Sequence, residues 1–266
     1  MTGRRSMPVP GDVVHVQILE DGQTVVERID PRVGTLERRS ATGRTKTIAA
    51  NVDLLVAVTA LANPAPRLAT LDQLLAFAEL EEIEAAVVFT KPDLAEPALS
   101  RDLLDLYSRL EYPSISINPK SGEIDPLRRI LLDRRALLVG NSGVGKSTIF
   151  RALGGESVVG EVSRQGLGRQ TTTSARLYRT QNGFLIDSPG VNEFGLGQVE
   201  PGRLAQSFKE MRPLVAACRF TDCTHVQEPD CAVKEAAAAG RIAQSRYESY
   251  CRILLAALDT RRASLL

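Results

Sequence analysis

The segment GNSGVGKS, residues 140–147, constrains the fold more than any other part of the sequence. The apolar run RALLVG leads into it and STIFRAL leads out of it, which predicts a strand before the segment and a helix after it. Glycines at this spacing let successive backbone N–H groups point at phosphate oxygens, at the N-terminus of the following helix. A glycine-rich turn can match the spacing by chance, but rarely with both flanking elements in place. The segment therefore predicts a nucleotide site on an α/β sheet.

Each fixed position of this loop has an expected role. Lys146 is expected to reach the β- and γ-phosphates, and the hydroxyl of Ser147 is expected to ligate Mg²⁺. The backbone around them would hold the phosphates. The residues expected to bind the nucleotide are Gly140, Asn141, Ser142, Gly143, Val144, Gly145, Lys146, Ser147 and Thr148.

The rest of the chain divides into three predicted regions. In residues 1–48, short β-like runs are separated by turn signals, which predicts a small unit of three or four strands. In residues 49–203, β-branched apolar runs alternate with segments of helical spacing, which predicts an α/β domain with a largely parallel sheet. Residues 204–266 have a helical pattern interrupted by a cysteine cluster.

Two more motifs follow the glycine-rich loop. Asp187 and Gly190 belong to DSPG, after the apolar run GFLI; the aspartate can hold Mg²⁺ through water and the glycine N–H can reach a γ-phosphate. DSPG alone is usually a β-turn, but its position after a phosphate loop favours the nucleotide role. In the run GRQTTT, one threonine would close onto Mg²⁺ when γ-phosphate is present, and we favour Thr172. A solvated polar loop would explain GRQTTT equally well on its own.

The tetrapeptide TKPD, Thr90-Lys91-Pro92-Asp93, follows the apolar run AAVVF. Asp93 can accept hydrogen bonds from the N1–H and amino groups of guanine, while Lys91 packs its stem over the base. Leaving a buried carboxylate unpaired with the wrong base costs about 1–3 kcal/mol, so this aspartate can select GTP over ATP. An isolated Lys-Pro-Asp turn is the common alternative. Because AAVVF brings the motif to the sheet edge where ligands bind, we predict guanine recognition.

The stretch CRFTDCTHVQEPDC contains Cys218, Cys223, His225 and Cys231. Three thiolates and one imidazole suit tetrahedral Zn²⁺, and four protein ligands leave no open catalytic position. The spacings differ from those of common zinc fingers, so incidental cysteines are the alternative. We predict one structural zinc ion, with Cys251 as a core residue.

Charge and hydropathy exclude some classes of partner. The net charge is +1, so contact with a nucleic acid would require a local patch. No apolar run reaches about 18 residues, so we expect no membrane partner, and the start MTGRRSMPVPGD is not a signal peptide. The cysteine usage favours the cytosol. Nothing in the sequence indicates more than a monomer.

The order of the nucleotide motifs differs from that in ordinary small GTPases, in which the guanine-recognition motif comes last. A circular permutation produces this order by keeping the sheet and opening the chain elsewhere. The permuted order, with GNSGVGKST, TTTSARLY, IDSPGVNEFGL and CRFTDCTHVQEPDCAV, resembles the bacterial ribosome small subunit-dependent GTPase A family. The resemblance extends from about Pro10 to the C-terminal helix.

The resemblance implies an N-terminal OB-fold, a permuted GTPase domain and a C-terminal zinc domain. It implies GTP, GDP and Mg²⁺ as ligands, contact with the small ribosomal subunit and its rRNA, and GTP hydrolysis stimulated during late subunit maturation. The family's zinc ligands map onto the Cys₃His set, its guanine motif onto residues 90–93, and its second base-contacting loop near Asn118, Pro119 and Lys120.

The chain departs from the family pattern at three places. Only about the last three strands of the family's N-terminal β-domain are expected. Threonine stands at position 90 where asparagine is usual, and Gln170 stands where histidine is frequent. Ras-like enzymes have a water-orienting glutamine directly after Asp-x-x-Gly, and here that residue is Val191. We therefore expect unassisted turnover of about 10⁻⁴ to 10⁻² per second, with Gln170 positioning the water once a partner orders the segment.

Two other functions fit parts of the sequence. The chain can be a nucleotide-switched RNA-binding adaptor with incidental turnover, which would show no stimulation by ribosomal particles. It can also be a P-loop kinase, which would have an arginine-rich lid and no guanine preference. Asp93 argues against the kinase.

Overall fold

The N-terminal region consists of four strands in two antiparallel ribbons. The computed structural model of the protein describes residues 7–39, 45–154, 156–157, 176–181, 183–187, 199 and 201–264. The first ribbon pairs β1 (Val14–Ile18) with β2 (Thr24–Ile29), and the second pairs β3 (Thr35–Arg39) with β4 (Thr45–Ala50). Four strands agree with the expected three or four. Within the described residues the two ribbons share no backbone pairing, so an OB-like unit stays a prediction.

The second ribbon is anchored to the rest of the molecule by apolar and polar contacts. Leu36 and Ala49 are buried in the main hydrophobic core. Asn51, which follows the ribbon with a φ of 53°, donates from Nδ2 to the Gly11 carbonyl at 3.0 Å. Its Oδ1 accepts from the Val33 amide at 2.8 Å. One buried side chain therefore fixes both the start of the N-terminal region and the turn between its ribbons.

A seven-stranded sheet forms the centre of the protein. Its strands are β5 (Leu54–Ala60), β6 (Glu84–Thr90), β7 (Ser114–Ile117), β8 (Arg134–Val139), β9 (Glu156–Ser157), β10 (Arg176–Thr180) and β11 (Gly183–Asp187). The spatial order is β7-β6-β5-β8-β11-β10-β9. The first five strands in this order are parallel to one another. Strand β10 is antiparallel to β11, and β9 is antiparallel to β10. The predicted, largely parallel sheet is confirmed.

This topology brings the predicted motifs to one edge of the sheet. Strand β8 pairs with β5 on one side and with β11 on the other, both in parallel. The carboxyl ends of β6, β7, β8 and β11 therefore meet at the same edge, which is where ligands bind in open α/β sheets. Those ends are Thr90, Ile117, Val139 and Asp187.

Helices cover both faces of the sheet. They are α1 (Leu68–Leu80), α2 (Pro97–Arg109), α3 (Asp125–Ile130), α4 (Lys146–Ala152), α5 (Pro201–Gln206), α6 (Arg212–Val215), α7 (Ala232–Ala238) and α8 (Gln244–Ser264). One apolar core lies between the sheet and α1, α2 and the C-terminal helices. A second core lies on the opposite face, with α3 and α4. Strands covered on both faces are mostly apolar, and β5 is buried along its whole length.

The C-terminal region packs directly on the α/β region. One continuous core crosses the boundary predicted between residues 203 and 204. It contains Leu75 of α1, Phe208 from the segment after α5, and Tyr250 of α8. Phe208 and Tyr250 meet edge to face, with ring centroids 5.5 Å apart. Among the described helices, none has both the length and the apolar composition required to cross a bilayer.

Candidate nucleotide site and metal centre

The phosphate loop joins the end of β8 to the start of α4, as its sequence predicts. Gly140 has a φ of 147°, and a Cβ atom on it would lie 2.1 Å from the carbonyl oxygen of Val58, so only glycine fits. Gly145 caps α4 in the left-handed region with a φ of 101°. Both positions depend on glycine to turn the backbone. The loop therefore wraps around a space at the N-terminus of α4 where amide groups can receive an anion.

Lys146 and Asp187 bring opposite charges to this loop. The Nζ atom of Lys146 donates to the carbonyls of Gly140 at 2.6 Å and Asn141 at 2.8 Å. Burial lowers the pKa of Lys146, and the negative charge of Asp187 opposes that shift. Burial likewise raises the pKa of Asp187, while Lys146 and Arg176 act in the opposite direction. A half-buried ammonium and carboxylate thus face each other beside the loop, as expected for groups that bind phosphate and a hydrated cation.

Thr90 supports the phosphate loop from behind. Its side chain is almost entirely buried, with 1% of the residue exposed. Its hydroxyl donates to the carbonyl of Val144 at 2.6 Å, and the carbonyl of Thr59 lies 3.4 Å away. Thr90 therefore contacts the loop, and any effect of its hydroxyl on a bound ligand would pass through the loop.

Lys91 connects the loop after β6 with the loop after β5 and with the phosphate loop. The residue has a φ of 58°, which turns the chain at the end of β6. Its Nζ atom donates to the carbonyl of Gly143 in the phosphate loop at 2.8 Å and to the carbonyl of Asn63, which follows β5. The amine is thereby fixed, and the aliphatic stem is held at the edge where we predicted that it packs over the base.

Asp93 is oriented by a hydrogen bond from a neighbouring loop. It lies exposed in a short 3-10 helix, Pro92–Leu94. Its Oδ1 accepts from Nδ2 of Asn118 at 2.9 Å, and Oδ1 of Asn118 accepts from the amide of Lys120 at 3.2 Å. The loops after β6 and β7 are therefore joined, and the second carboxylate oxygen of Asp93 remains available to a base. These contacts place the two predicted guanine-recognition segments side by side.

The described residues fit a guanine nucleotide with Mg²⁺. The loop supplies amides and a lysine for phosphates, Ser147 is an exposed hydroxyl at the start of α4, and Asp187 ends the adjacent strand. The predicted residues Gln170, Thr172 and Gly190 lie outside the described residues.

The predicted metal ligands converge in the C-terminal region. Sγ of Cys218 lies 3.8 Å from Sγ of Cys231, and Nδ1 of His225 lies 3.4 Å and 3.5 Å from these two sulfurs. The fourth ligand atom, Sγ of Cys223, falls within the same cluster, in which all ligand atoms lie within 4.8 Å of one another. Tetrahedral zinc with ordinary bond lengths separates two sulfurs by about 3.8 Å and sulfur from nitrogen by about 3.5 Å. The Cys₃His group is confirmed, and its geometry fits one structural zinc ion.

The loop that carries these ligands is held by polar contacts that the motif did not reveal. The carboxylate of Glu228 accepts from the amide and hydroxyl of Thr224 at 2.9 Å and 2.7 Å. Burial would raise the pKa of Glu228, but these hydrogen bonds outweigh it and lower that pKa to about 2. From α8, the hydroxyl of Tyr247 donates to the carbonyl of His225, and that of Tyr250 to the carbonyl of Thr224, both at 2.8 Å. Helix α8 therefore sets the position of the metal loop.

Sequence reasoning missed the contribution of Asn63, Thr59, Glu228 and the two tyrosines. Asn63 and Thr59 act through backbone carbonyls, which any residue carries, so no side-chain pattern identifies them. Tyr247 and Tyr250 are three positions apart on a helix, a spacing that places them on one face. That spacing was a usable signal once α8 had been predicted.

Comparison with known proteins agrees with this geometry. The RsgA GTPase family model matches residues 29–197. A protein from Sodalis glossinidius named small ribosomal subunit biogenesis GTPase RsgA is 40% identical over 239 residues, or 86% of this chain and 69% of that protein. A protein of the same name from Serratia proteamaculans is 38% identical over 264 residues, or 96% of this chain and 74% of that protein.

Solved structures give the same relationship. The crystal structure of YjeQ from Thermotoga maritima superposes with a TM-score of 0.75 at 33% identity, covering 95% of this chain and 85% of that one. The structure of YloQ, described as a circularly permuted GTPase, has a TM-score of 0.73 at 26% identity, covering 97% and 83%. The permuted order of the strands is therefore shared with solved proteins.

Replacing Thr90 tests whether its hydroxyl holds the phosphate loop. In Thr90→Val the buried carbonyl of Val144 loses its donor and can be satisfied only by moving the loop. Because leaving such a group unpaired costs about 1–3 kcal/mol, we expect the dissociation constant for GDP, measured by titration calorimetry, to rise about tenfold. Thr90→Ser keeps the donor and should bind GDP nearly as the wild type does. Equal affinity in Thr90→Val would contradict the assigned role.

Removing one sulfur tests the metal centre. We expect wild-type protein to carry one zinc ion per chain, and Cys231→Ala to lose it because three ligands no longer close the tetrahedron. Cys251→Ala is the matched control, since Cys251 lies outside the ligand cluster and should retain zinc. Metal content by atomic absorption, together with the melting temperature, measures both effects. Full zinc occupancy in Cys231→Ala would exclude this ligand set.

Proposed function

Because this chain belongs to the RsgA GTPase family, we propose that it hydrolyses GTP on binding the small ribosomal subunit and assists late maturation of that subunit. The observation that carries the proposal is the bonding between loops of the nucleotide site. Thr90 bonds to Val144, Lys91 to Gly143 and Asn118 to Asp93. The first two contacts join guanine-recognition residues to the phosphate loop, and the third joins the two guanine-recognition segments to each other.

Nucleotide binding follows from these contacts. On binding, Lys146 would exchange the carbonyls of its own loop for phosphate oxygens. The half-buried ammonium would then be paired with a negatively charged group. The loop amides supply the remaining donors. Because Thr90 and Lys91 already hold the phosphate loop against β5 and β6, ordering the loop would cost little free energy on binding.

Selection of guanine rests on Asp93. Its carboxylate is oriented by Asn118, and it presents acceptors to the N1–H and amino groups of guanine. Adenine lacks that pair of donors. The base would therefore be recognised at the junction of the loops after β6 and β7, with Lys91 and Lys120 flanking it.

The metal ions have separate tasks. Mg²⁺ would be held by the hydroxyl of Ser147, by Asp187 through water and by Thr172, and it neutralises charge that develops on the phosphates. Zinc, with four protein ligands, is structural. Burial raises the pKa of Asp187, and a cation bound nearby would lower that pKa by favouring the charged carboxylate.

Hydrolysis requires a group that orients water. Val191 has no polar atom for this purpose, so the free protein turns over slowly. Gln170 would take this role when the protein is bound to the ribosomal subunit. The amide of a glutamine can accept from the water and donate to a phosphate oxygen at the same time.

The finer features of this function belong to the same proposal. The chain acts in the cytoplasm as a monomer, contacts rRNA of the small subunit and has no membrane partner. It is organised as a β region over residues 1–48, a GTPase domain over 49–203 and a zinc-binding helical domain over 204–266. The names of the relatives, which specify small ribosomal subunit biogenesis, support the choice of partner.

Phosphate release from GTP and from ATP, with and without purified small ribosomal subunits, tests the function. We expect release from GTP to exceed release from ATP because of Asp93, and to rise at least about tenfold with subunits, which would bring the water-orienting group into place. Large subunits serve as the matched particle control. A rate that stays the same with small subunits would leave the nucleotide site in place and remove the ribosomal role.

Gln170→Ala tests the water-positioning role. We expect this variant to bind GTP normally and to lose at least about tenfold in subunit-stimulated turnover, since only the orientation of water is removed. Gln165→Ala, a glutamine in the same stretch of sequence, is the control. Full stimulated turnover in Gln170→Ala would assign the role to another group.

A further inference from the structure

The ring of His225 lacks the contact that usually orients a metal-binding histidine. Such a histidine normally donates its second ring N–H to a carboxylate, a backbone carbonyl or water, and that bond directs the other nitrogen at the metal. Nδ1 of His225 faces the sulfurs of Cys218 and Cys231. Nε2 is buried and has no hydrogen-bond partner in the described part of the chain. Another feature of the structure therefore has to direct Nδ1 at the metal position.

Packing of the ring alone does not supply this direction. The imidazole lies against the ring of Tyr250, with centroids 6.1 Å apart and planes tilted by 54°. A tilted ring contact at this distance limits one side of the imidazole, but it makes no directed bond to either nitrogen. The direction of the ring therefore depends on the backbone from which the side chain leaves.

The backbone at His225 has an uncommon conformation. Its φ is 62°, in the left-handed region that side chains other than glycine rarely adopt. A residue keeps such a conformation only where the surrounding bonds determine it. Because φ sets the direction of the Cα–Cβ bond relative to the loop, those bonds also decide where the imidazole points.

Glu228 supplies hydrogen bonds on both sides of His225. Its Oε1 accepts from the amide and the hydroxyl of Thr224, at 2.9 Å and 2.7 Å. Its Oε2 accepts from the amides of Val226 and Gln227, both at 3.2 Å. One carboxylate oxygen thus binds the chain before His225 and the other binds the chain after it. The shape of the turn at His225 is therefore determined by a single side chain.

Neighbouring helices fix where this turn lies in the fold. The hydroxyl of Tyr247 on α8 donates to the carbonyl of His225 at 2.8 Å. From α7, Nζ of Lys234 donates to the carbonyl of Glu228 at 2.9 Å. These bonds reach the turn from outside, whereas the carboxylate of Glu228 binds amides within it. Helices α7 and α8 therefore set the position of the turn, and Glu228 sets its internal geometry.

Two of the thiolate ligands are held in a different way. Cys231 is the N-cap residue of α7, so its direction follows from that helix. The amide of Cys218 donates to the carbonyl of Val215, the last residue of α6, at 3.3 Å. Neither of these bonds involves Glu228. Loss of the Glu228 carboxylate is therefore expected to affect His225 before it affects these sulfurs.

We propose that Glu228 is a positioning residue of the metal centre, whose carboxylate directs His225 at the zinc ion through the backbone in place of a hydrogen bond to Nε2. Glu228 is not a member of the ligand cluster, so it acts only through His225. The proposal rests on zinc as the resident ion, which is part of the proposed function.

Zinc affinity of the full-length protein tests this role. Glu228→Gln keeps the size of the side chain but replaces one acceptor oxygen by an NH₂ group, which cannot accept from an amide. One side of the turn is then released. In competition with a chromogenic chelator, we expect the dissociation constant for zinc to rise about 10- to 100-fold, the usual effect of removing the group that orients a metal ligand.

The visible spectrum of the Co²⁺-substituted protein shows which ligand is affected. The spectrum depends on the set of thiolates and imidazoles around the ion. We expect the spectrum of Glu228→Gln to shift towards that of His225→Ala while the thiolate-to-cobalt charge-transfer band is kept. A merely structural role of Glu228 would lower the melting temperature and leave the wild-type coordination spectrum unchanged.

A more conservative variant covers the case in which Glu228→Gln does not fold. Thr224→Val removes only the hydroxyl bond to Oε1 and keeps the amide bond. We expect a smaller rise in the dissociation constant for zinc, about three- to tenfold, since one hydrogen bond to a charged group is lost. The melting temperature and the circular dichroism of each variant verify that it is folded.

The matched control is Asp230→Asn, which removes another carboxylate of the same loop. Asp230 bonds to Arg219 at 2.7 Å, and both side chains are more than 60% exposed. Asparagine tolerates the left-handed backbone at this position, where φ is 53°. This variant should therefore keep the wild-type zinc affinity and the wild-type Co²⁺ spectrum.

Two results would overturn the proposal. One is a dissociation constant for zinc within about twofold of the wild type in Glu228→Gln, or in Thr224→Val if Glu228→Gln does not fold. The other is a weakened affinity with an unchanged Co²⁺ spectrum. Wild-type protein without zinc would overturn the metal assignment together with this role. Missing stimulation by small ribosomal subunits would bear on the ribosomal role alone, because these measurements contain no ribosomal particles.

Discussion

The parallel pairing of β8 with β5 on one side and β11 on the other is the constraint on which the nucleotide site depends. It places the phosphate loop in the middle of one sheet edge, between the guanine-recognition loops and the strand that ends at Asp187. A permuted chain can keep this site because the pairing of the strands, not their order in the sequence, decides which loops meet. What the permutation changes is the connection that follows Asp187, which here leads to α5 and the metal loop.

Polar side chains buried around the seven-stranded sheet have two distinct physical roles. A single hydroxyl at Thr90 satisfies a carbonyl of the phosphate loop and gives the loop one preferred position. A charged cluster consists of Arg246 and its hydrogen-bonded partners Asp72, Glu210 and Tyr107. The cluster is built from side chains of four segments and fixes how those segments lie against one another. In each case a buried polar group without its partner would cost free energy, so the native arrangement is favoured over other packings of the same segments.

Much of the fold and of the site was predictable because it depends on local patterns. Apolar runs with β-branched residues gave the parallel sheet, and the glycine loop between a strand and a helix gave the phosphate site. The Cys₃His group was predictable from residue type alone. The role of Thr90 was not, because its partner is a backbone carbonyl 54 positions away, and a sequence does not show which carbonyls lie close to a hydroxyl. The N-terminal strands were predicted, but their pairing into two separate ribbons was not.

The sequence by itself determined which chemical groups the protein has and in what order: the phosphate loop, the guanine-recognition motif, the metal ligands and the permuted arrangement. These are set by residue types at short spacings, which act through local backbone geometry. Only the tertiary structure decided which distant groups share a buried partner. Asp72 and Arg246 are 174 positions apart, and each is an ordinary charged residue on a helix until packing removes both from water. Once buried, neither charge is stable without the other, so their pairing is a property of the folded chain.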